Sequence, residues 1–469
     1  MTVKVSIAMV SILRDGLANG VGVKYKRLAD AVEKGIAEGL IDPGSKLPPH
    51  RLLADSLGGT IGTISRAYGE LERVGLVVAR VGDGTYGRQR GVERPRDVGF
   101  RNVSDEPQPF FDMSRNQPIP GQEAHFLSQS LQALALDPQA LQHLGGYTAE
   151  AGLPRYRAAG AHWLRHGAVV PSAEQIVCVN GGQQGLLCTL MGLLKAGDTV
   201  VTEHLTYPGL ISVARLLGIK LIGVAMDDEG LDPVALKEIC RHHRVSALYC
   251  TPTIQNPTAA VMSVPRREAI AEVCRQNNLL IFEDEAHAVL ARQRPLPLSH
   301  FAPERSVLIG SLSKAVSAGL RVGYLHAPQP LIGRLSAAVR GTCWMASPLT
   351  LEVASSWIEN GVAELLLGQQ IAEISRRKAL VVGLLDGLVY KTHPDSPHFW
   401  IEVPEPWRAS QIAVELKENN YLVATAEMFA VGHGAVPQFI RASVCNSAGD
   451  DQLLLRGFEA LAGALTETV

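Results

Sequence analysis

Between residues 23 and 87, apolar side chains recur at helical spacing. Leu28, Val32, Ile36 and Leu40 stand four apart, which predicts a first helix stopped by Asp42-Pro43-Gly44. A short second helix follows Pro48-Pro49 and carries Leu52, Leu53 and Leu57. A third, from about Thr60, places Ile64, Tyr68, Leu71 and Val74 on one face and stops near Gly75. The apolar run Leu76–Ala79, the turn Gly82-Asp83-Gly84 and Thr85-Tyr86 then read as two short strands around a glycine turn, a wing.

From about residue 110 the pattern changes. Short apolar runs of strand length (Ile176–Val179, Thr199–Val201, Ala247–Tyr249, Leu279–Phe282, Ser306–Ile309) are separated by helical segments. Continuous rather than alternating apolar strands are buried on both faces, so a mostly parallel sheet with helices on both sides is expected, an α/β fold. Residues 88–108 belong to neither pattern. Arg88, Arg90, Arg94, Arg96 and Arg101 alternate there with Gly, Pro and acidic residues, as in a linker. The expected division is an arm over 1–22, a helical module over 23–87, the linker over 88–108, and a large domain over 109–469 whose small C-terminal α+β subdomain begins near 350.

Composition sharpens this picture. With 469 residues, 46% hydrophobic and 19% charged, the chain suits a large core plus a small module rather than a disordered segment. Residues 1–96 carry 15 Lys/Arg against 10 Asp/Glu, so in a chain of net charge -2 the remainder carries -7. A basic end on an acidic body suits nucleic-acid contact at that end alone. The seven cysteines (Cys178, Cys188, Cys240, Cys250, Cys274, Cys343, Cys445) form no CxxC pair and are odd in number, so buried thiols in a cytoplasmic protein are expected, with neither a disulfide framework nor a metal site. No apolar run has membrane-spanning length, and the stretch Val5–Leu13 reads as an arm or helix rather than a leader, because Arg14-Asp15 ends it.

The segments Leu47-Pro48-Pro49-His50-Arg51-Leu52-Leu53-Ala54, Gly62-Thr63-Ile64-Ser65-Arg66-Ala67-Tyr68 and Gly82-Asp83-Gly84-Thr85-Tyr86 resemble the GntR family of winged helix-turn-helix regulators. The resemblance implies that the third helix enters the major groove. With Ile64, Tyr68 and Leu71 inward, Thr60, Thr63 and Arg66 face outward. Arg51 reaches a phosphate or a guanine edge, and Gly84-Thr85 brings main-chain N–H groups to the backbone. Pro49 stands where the family usually has Ser, and Ile61 where it often has Arg. A winged helix used only for assembly or signalling is the alternative.

In the large domain five features fall at the ends of expected strands, where open α/β sheets bind ligands. Lys314 lies in Ser311-Leu312-Ser313-Lys314, followed by Gly319-Leu320-Arg321-Val322-Gly323. A Schiff-base lysine needs a desolvated pocket, and the hydroxyls and guanidinium suit a phosphate dianion. Asp284, ending the run Leu279–Phe282, suits a protonated pyridine nitrogen, or is simply a helix N-cap. Asn256 before Pro257 is a donor to a phenolate oxygen, or a turn residue. Asn180-Gly181-Gly182-Gln183 brings N–H groups and a helix N-terminus to a phosphate, or is a plain tight turn. Tyr207 is a stacking ring, or core packing.

In order and spacing these features resemble the fold-type I pyridoxal-phosphate enzymes of the class I/II aminotransferases, over about residues 110–469. The resemblance implies a pyridoxal 5′-phosphate cofactor with Lys314 as its Schiff-base lysine and Asp284 on its ring nitrogen, the two catalytic groups. Asn256 donates to the phenolate oxygen, Tyr207 stacks, and Gly182, Gln183, Ser311, Ser313 and Arg321 surround the phosphate. Tyr147, in Gly146-Tyr147-Thr148, reaches the neighbouring subunit's phosphate. Arg441, in Phe439-Ile440-Arg441-Ala442-Ser443, holds an α-carboxylate. His287 stands where aminotransferases usually have a Tyr donor, an order that looks like the α-oxoamine synthase branch; a satisfied core histidine is the alternative.

Both halves together resemble the MocR family of bacterial transcriptional regulators. This implies a head-to-tail homodimer that binds DNA, an operator of repeated half-sites, and responds to an amino acid or amine effector, or to the cofactor itself, through an external aldimine on the Lys314 site. A working class I/II aminotransferase with an accessory winged helix stays open as the alternative.

Overall fold

The computed structural model describes residues 13–15, 17–18, 23–37, 45–73, 77–80, 84–87, 111–167, 169–432, 436–446 and 450–466. The chain forms two compact units, Met1–Val98 and Gly99–Val469. The expected linker 88–108, the positions Leu40, Val74 and Leu76 of the periodic runs, and the turn residues Gly82 and Asp83 lie outside the described residues.

The first unit has three helices, α1 (Lys24–Ala37), α2 (His50–Leu57) and α3 (Ile61–Arg73), then an antiparallel hairpin of β1 (Val77–Arg80) and β2 (Gly84–Gly87). Leu28, Val32, Leu53, Ile64, Tyr68, Leu71 and Val77 form its core. Leu13 joins that core and Leu17 packs against it, so the core draws on residues ahead of position 23. Helix α2 stops at Gly58, which has a positive φ of 63° and whose neighbour Gly59 donates to the Ala54 carbonyl, a left-handed cap that glycine adopts without strain. The Thr60 hydroxyl then accepts from the Thr63 amide at 3.3 Å and starts α3. The wing is tied back to the helices: the Leu47 amide donates to the Thr85 carbonyl at 2.7 Å, and the Tyr68 hydroxyl donates to the Pro48 carbonyl at 2.9 Å.

The second unit is built on a seven-stranded sheet: β3 (Ile176–Val179), β4 (Thr199–Glu203), β5 (Lys220–Val224), β6 (Ala247–Cys250), β7 (Leu280–Asp284), β8 (Ser306–Ser311) and β9 (Gly323–His326), in the order β3-β9-β8-β7-β6-β4-β5. Only β9 runs antiparallel to its neighbours. Successive residues feed opposite faces. Val200, Tyr249 and Phe282 pack on one side with Leu186, Leu190 and Leu335; Val201, Leu248 and Ile281 pack on the other with Leu236 and Ile270. Both faces are therefore buried, which is why these strands read as unbroken apolar runs.

Two strands lack that signature. The edge strand β5 begins with an exposed lysine and has half-buried Leu221 and Ile222 before its one buried apolar residue, Val224, and β9 begins at the last glycine of the Gly319–Gly323 motif. A four-stranded antiparallel sheet, β10 (Tyr390–Lys391), β11 (His398–Glu402), β12 (Ala424–Thr425) and β13 (Phe439–Ser443), in the order β10-β11-β13-β12, forms the C-terminal α+β part with the helices Val362–Val381, Ala409–Glu418 and Asp451–Thr466. Of the cysteines, Cys343 is exposed and Cys240 half-buried rather than buried; the other five are buried.

Candidate functional site

The strands of the main sheet extend past their apolar runs. Thr199–Val201 continues to Glu203, Leu279–Phe282 to Asp284, and Ser306–Ile309 to Ser311. Asp284 and Ser311 are thereby fixed at the C-terminal edge of the sheet by strand hydrogen bonds. There they line one cavity of about 380 Å³. Its walls bring together Gly182, Gln183, Tyr207, Asn256, Asp284, His287, Ser311, Ser313, Lys314, Arg321 and Arg441. These residues come from six separate stretches of sequence.

Lys314 follows β8, and its Nζ donates to the main-chain carbonyl of Asn116 at 2.6 Å. Burial, with Arg441 nearby, brings its pKa down to about 8, so a useful fraction of the amine is neutral near pH 7. Asp284 sits at the end of β7. Its Oδ2 accepts from the Tyr249 hydroxyl at 2.7 Å and its Oδ1 from the Ala286 amide at 2.9 Å. Burial raises its pKa, while those two hydrogen bonds favour the anion. His287 is buried, and desolvation with the charges of Lys314 and Arg441 pushes its pKa down to about 3, so its ring is neutral.

One end of the cavity is built for an anion. Helix α4 (Gly182–Leu193) opens there with no side-chain cap on its first N–H groups. The Ser311 and Ser313 hydroxyls lie 2.9 Å apart, and the Arg321 guanidinium is 3.5 Å from Ser313 and 3.4 Å from the Asn180 carbonyl. Gly181, at φ 83°, makes the approach feasible: a Cβ there would fall 2.6 Å from the guanidinium. Gly209 does the same for the wall, because its Cβ would fall 2.2 Å from the Tyr207 ring.

Arg441, on β13, closes the opposite side. It donates to Asn256 Oδ1 and to the Ser114 carbonyl, and its guanidinium carbon lies 4.9 Å over the Phe429 ring. Burial lowers its pKa to about 10, and its Nε is buried with no hydrogen-bond partner among the described residues.

This donor set fits pyridoxal 5′-phosphate. An anion cup, a carboxylate at the sheet edge and a desolvated amine share one cavity, and the cup is kept open by a glycine whose Cβ would fill it. Asn116, Tyr249, His398 and Phe429 belong to the same construction and carry no motif in the sequence. Tyr147 does not line the cavity. It is 83% exposed and packs against Trp344 with ring centroids 5.7 Å apart.

On the first unit Arg51, Thr60, Arg66 and Gly84 are exposed, while Thr63 and Thr85 are half-buried. Thr60 and Thr63 share a hydroxyl contact at 3.0 Å, and the carbonyl of Thr85 is taken by Leu47. Ile61 is 45% exposed at the start of α3. Among the described residues no group of His, Cys, Asp and Glu is arranged to hold a metal, and no helix is long and apolar enough to cross a membrane.

The family model for class I and II aminotransferases matches residues 110–461, and that for bacterial regulatory proteins of the gntR family matches residues 24–86. YdeF, an uncharacterized HTH-type transcriptional regulator of Bacillus subtilis, is 29% identical over 430 residues, covering 90% of each chain. The HTH-type pyridoxine biosynthesis transcriptional regulator PdxR of Corynebacterium glutamicum is 28% identical over 341 residues, 71% of this chain and 73% of its own. A kynurenine aminotransferase structure from Pyrococcus horikoshii matches with a TM-score of 0.70 at 20% identity, covering 78% of this chain and 92% of that one, a likeness of fold.

Proposed function

We propose, for a chain that belongs to the class I and II aminotransferase family and carries a gntR-type helix-turn-helix domain ahead of it, that it is a pyridoxal-phosphate-dependent transcriptional regulator of MocR architecture whose DNA binding answers to an amino compound. The observation that carries the reading is the convergence of Lys314, Asp284, Arg321 and Arg441 on one cavity. When bound, the cofactor supplies an aldehyde that condenses with amines and a ring that withdraws electrons. Lys314 would supply the amine that holds the cofactor's aldehyde. Asp284, whose anion the Tyr249 hydroxyl favours, would pair with the ring nitrogen. Arg321, Ser311, Ser313 and the start of α4 hold the phosphate, and Tyr207 walls the ring. Arg441 takes the effector's carboxylate, and its unpartnered Nε is a donor in keeping with that role.

The assembly in this reading is a cytoplasmic head-to-tail homodimer, with Tyr147 reaching the partner's phosphate, and two winged helices on repeated half-sites. Thr60, Thr63 and Arg66 meet the major groove, Arg51 and Gly84-Thr85 the backbone. Residues 88–108 link the two functions, so that a change at the pocket alters the spacing of the winged helices.

The test is a paired titration. Amino acids and amines are added to the cofactor-loaded protein while visible absorbance and the anisotropy of a labelled duplex from upstream of its own gene are read together. A carboxylate-bearing amine that shifts both signals supports the regulator. An anisotropy change on cofactor alone, with no response to amines, makes it a sensor of the vitamin. Multiple turnovers of an amino acid with an oxoacid, and no effect on DNA, make it an aminotransferase.

A further inference from the structure

His287 stands beside the Lys314 amine, and the three residues around it decide which ring nitrogen carries its proton. His398, the first residue of β11, is fully buried, and its Nε2 lies 3.0 Å from the main-chain carbonyl of Pro257. A carbonyl only accepts, so Nε2 carries the proton. Burial, with Arg441, His287 and Lys378 in its field, holds the His398 pKa well below the ordinary histidine value and keeps the ring neutral. Its Nδ1 is then a bare lone pair, and the atom facing it at 2.9 Å is Asn116 Nδ2. With the amide reversed, two acceptors would meet. The second hydrogen on the same Nδ2 is left for His287 Nε2 at 3.2 Å. Among the described residues Asn116 Oδ1 is buried without a hydrogen-bond partner, so the two histidines set the orientation of the amide.

We propose that Asn116 and His398 are positioning residues that hold His287 with its proton on Nδ1 and its Nε2 as an acceptor. This deepens the cofactor reading and rests on it only for its consequence. A tyrosine at that place would donate to the phenolate oxygen of the cofactor; with this tautomer His287 would have only Nδ1–H to donate. Asn256 remains a donor, because Arg441 occupies its Oδ1 and leaves its Nδ2 available. Asn116 is the hinge of the arrangement, since its main chain holds the Lys314 amine while its side chain sets the His287 ring.

The experiment uses the full chain, freed of cofactor and labelled with 15N-histidine, with ring resonances assigned through His287→Gln and His398→Gln. The wild type is expected to give a pyridine-type shift at His287 Nε2 and a pyrrole-type shift at Nδ1. Asn116→Asp offers only acceptors and should reverse that pattern at His287. His398→Phe frees the amide and should move both shifts toward averaged values; it serves as the second reading if Asn116→Asp does not fold. A protonated Nε2 in the wild type, or an unchanged His287 pattern in either folded variant, overturns the proposal. Borohydride trapping of cofactor on the wild type is read separately: no trapping beside the expected tautomer sinks the cofactor reading and leaves the positioning relation standing.

Discussion

The two units keep their functional charges in opposite environments. In the first, Arg51 and Arg66, the proposed DNA contacts, stay in water on a small helical core, so they cost little on folding and would offer a polyanion an affinity that weakens with salt. In the second, Asp284, His287 and Arg441 are buried and Lys314 half-buried, and desolvation moves each from its ordinary pKa. Desolvation opposes folding but sets up chemistry that water would otherwise suppress. Damage to the first unit should therefore be graded and salt-dependent; damage to the second should be abrupt and dependent on the chemistry of the ligand.

The largest effect belongs to Lys314. Lys314→Ala should abolish the visible band of the cofactor-loaded protein. In the wild type, a pKa of about 8 means that the neutral amine becomes more abundant as pH rises toward that value. At pH 7 roughly a tenth is neutral, against about 0.03% for an ordinary lysine. Stopped-flow capture of the free cofactor should speed up about tenfold between pH 6 and 7 and level off above 8; a rise continuing to pH 10 would mean an ordinary, solvated lysine.

Next comes Arg441→Ala, which removes one member of a buried, charge-assisted set. α-Amino acids should bind roughly 30- to 4,000-fold more weakly, the range of about 2–5 kcal/mol for such a loss. Amines without a carboxylate should change little by calorimetry, and an equal loss for both ligands contradicts the carboxylate role.

Leu53→Ala lies in the first unit, in a fully buried position of its core. A loss of about 2–5 kcal/mol is expected there. Hydrogen exchange should speed up over α1, α2 and α3 while the visible band is kept. Simultaneous loss of the band would show that the units do not respond separately. The smallest effect is Arg66→Ala, about 1–3 kcal/mol in duplex affinity if it reads a base. If it meets a phosphate instead, the slope of affinity against salt should fall by about one.

How much of this was legible in sequence depends on distance along the chain. The winged helix is local: its three helices and the hairpin at Gly84 follow from spacing within a few residues, while the left-handed stop at Gly58 emerges only from the structure. The pocket motifs are also local, most of them a strand end and the turn after it, with Arg441 inside β13 the exception, and eleven of the residues singled out line one cavity. The supporting network has no local trace. Asn116 meets His287 and His398 across 171 and 282 residues, so no spacing announces it. Tyr249 reads only as a strand residue until the neighbouring strand brings Asp284 beside it. Tyr147 has a motif but does not line this cavity; the role expected of it would need a second copy of the chain.

The most direct measurement of the central claim is the site of covalent attachment. Lys378 supplies an internal control, for its buried amine is also brought down to about 8, yet it is engaged by Thr392 and the His393 carbonyl and does not line the cavity. Borohydride reduction of the cofactor-loaded protein, followed by peptide mass mapping, should find the reduced pyridoxyl group on Lys314 alone. An adduct on Lys378 or on scattered surface lysines, with Lys314 unmodified, would contradict the account.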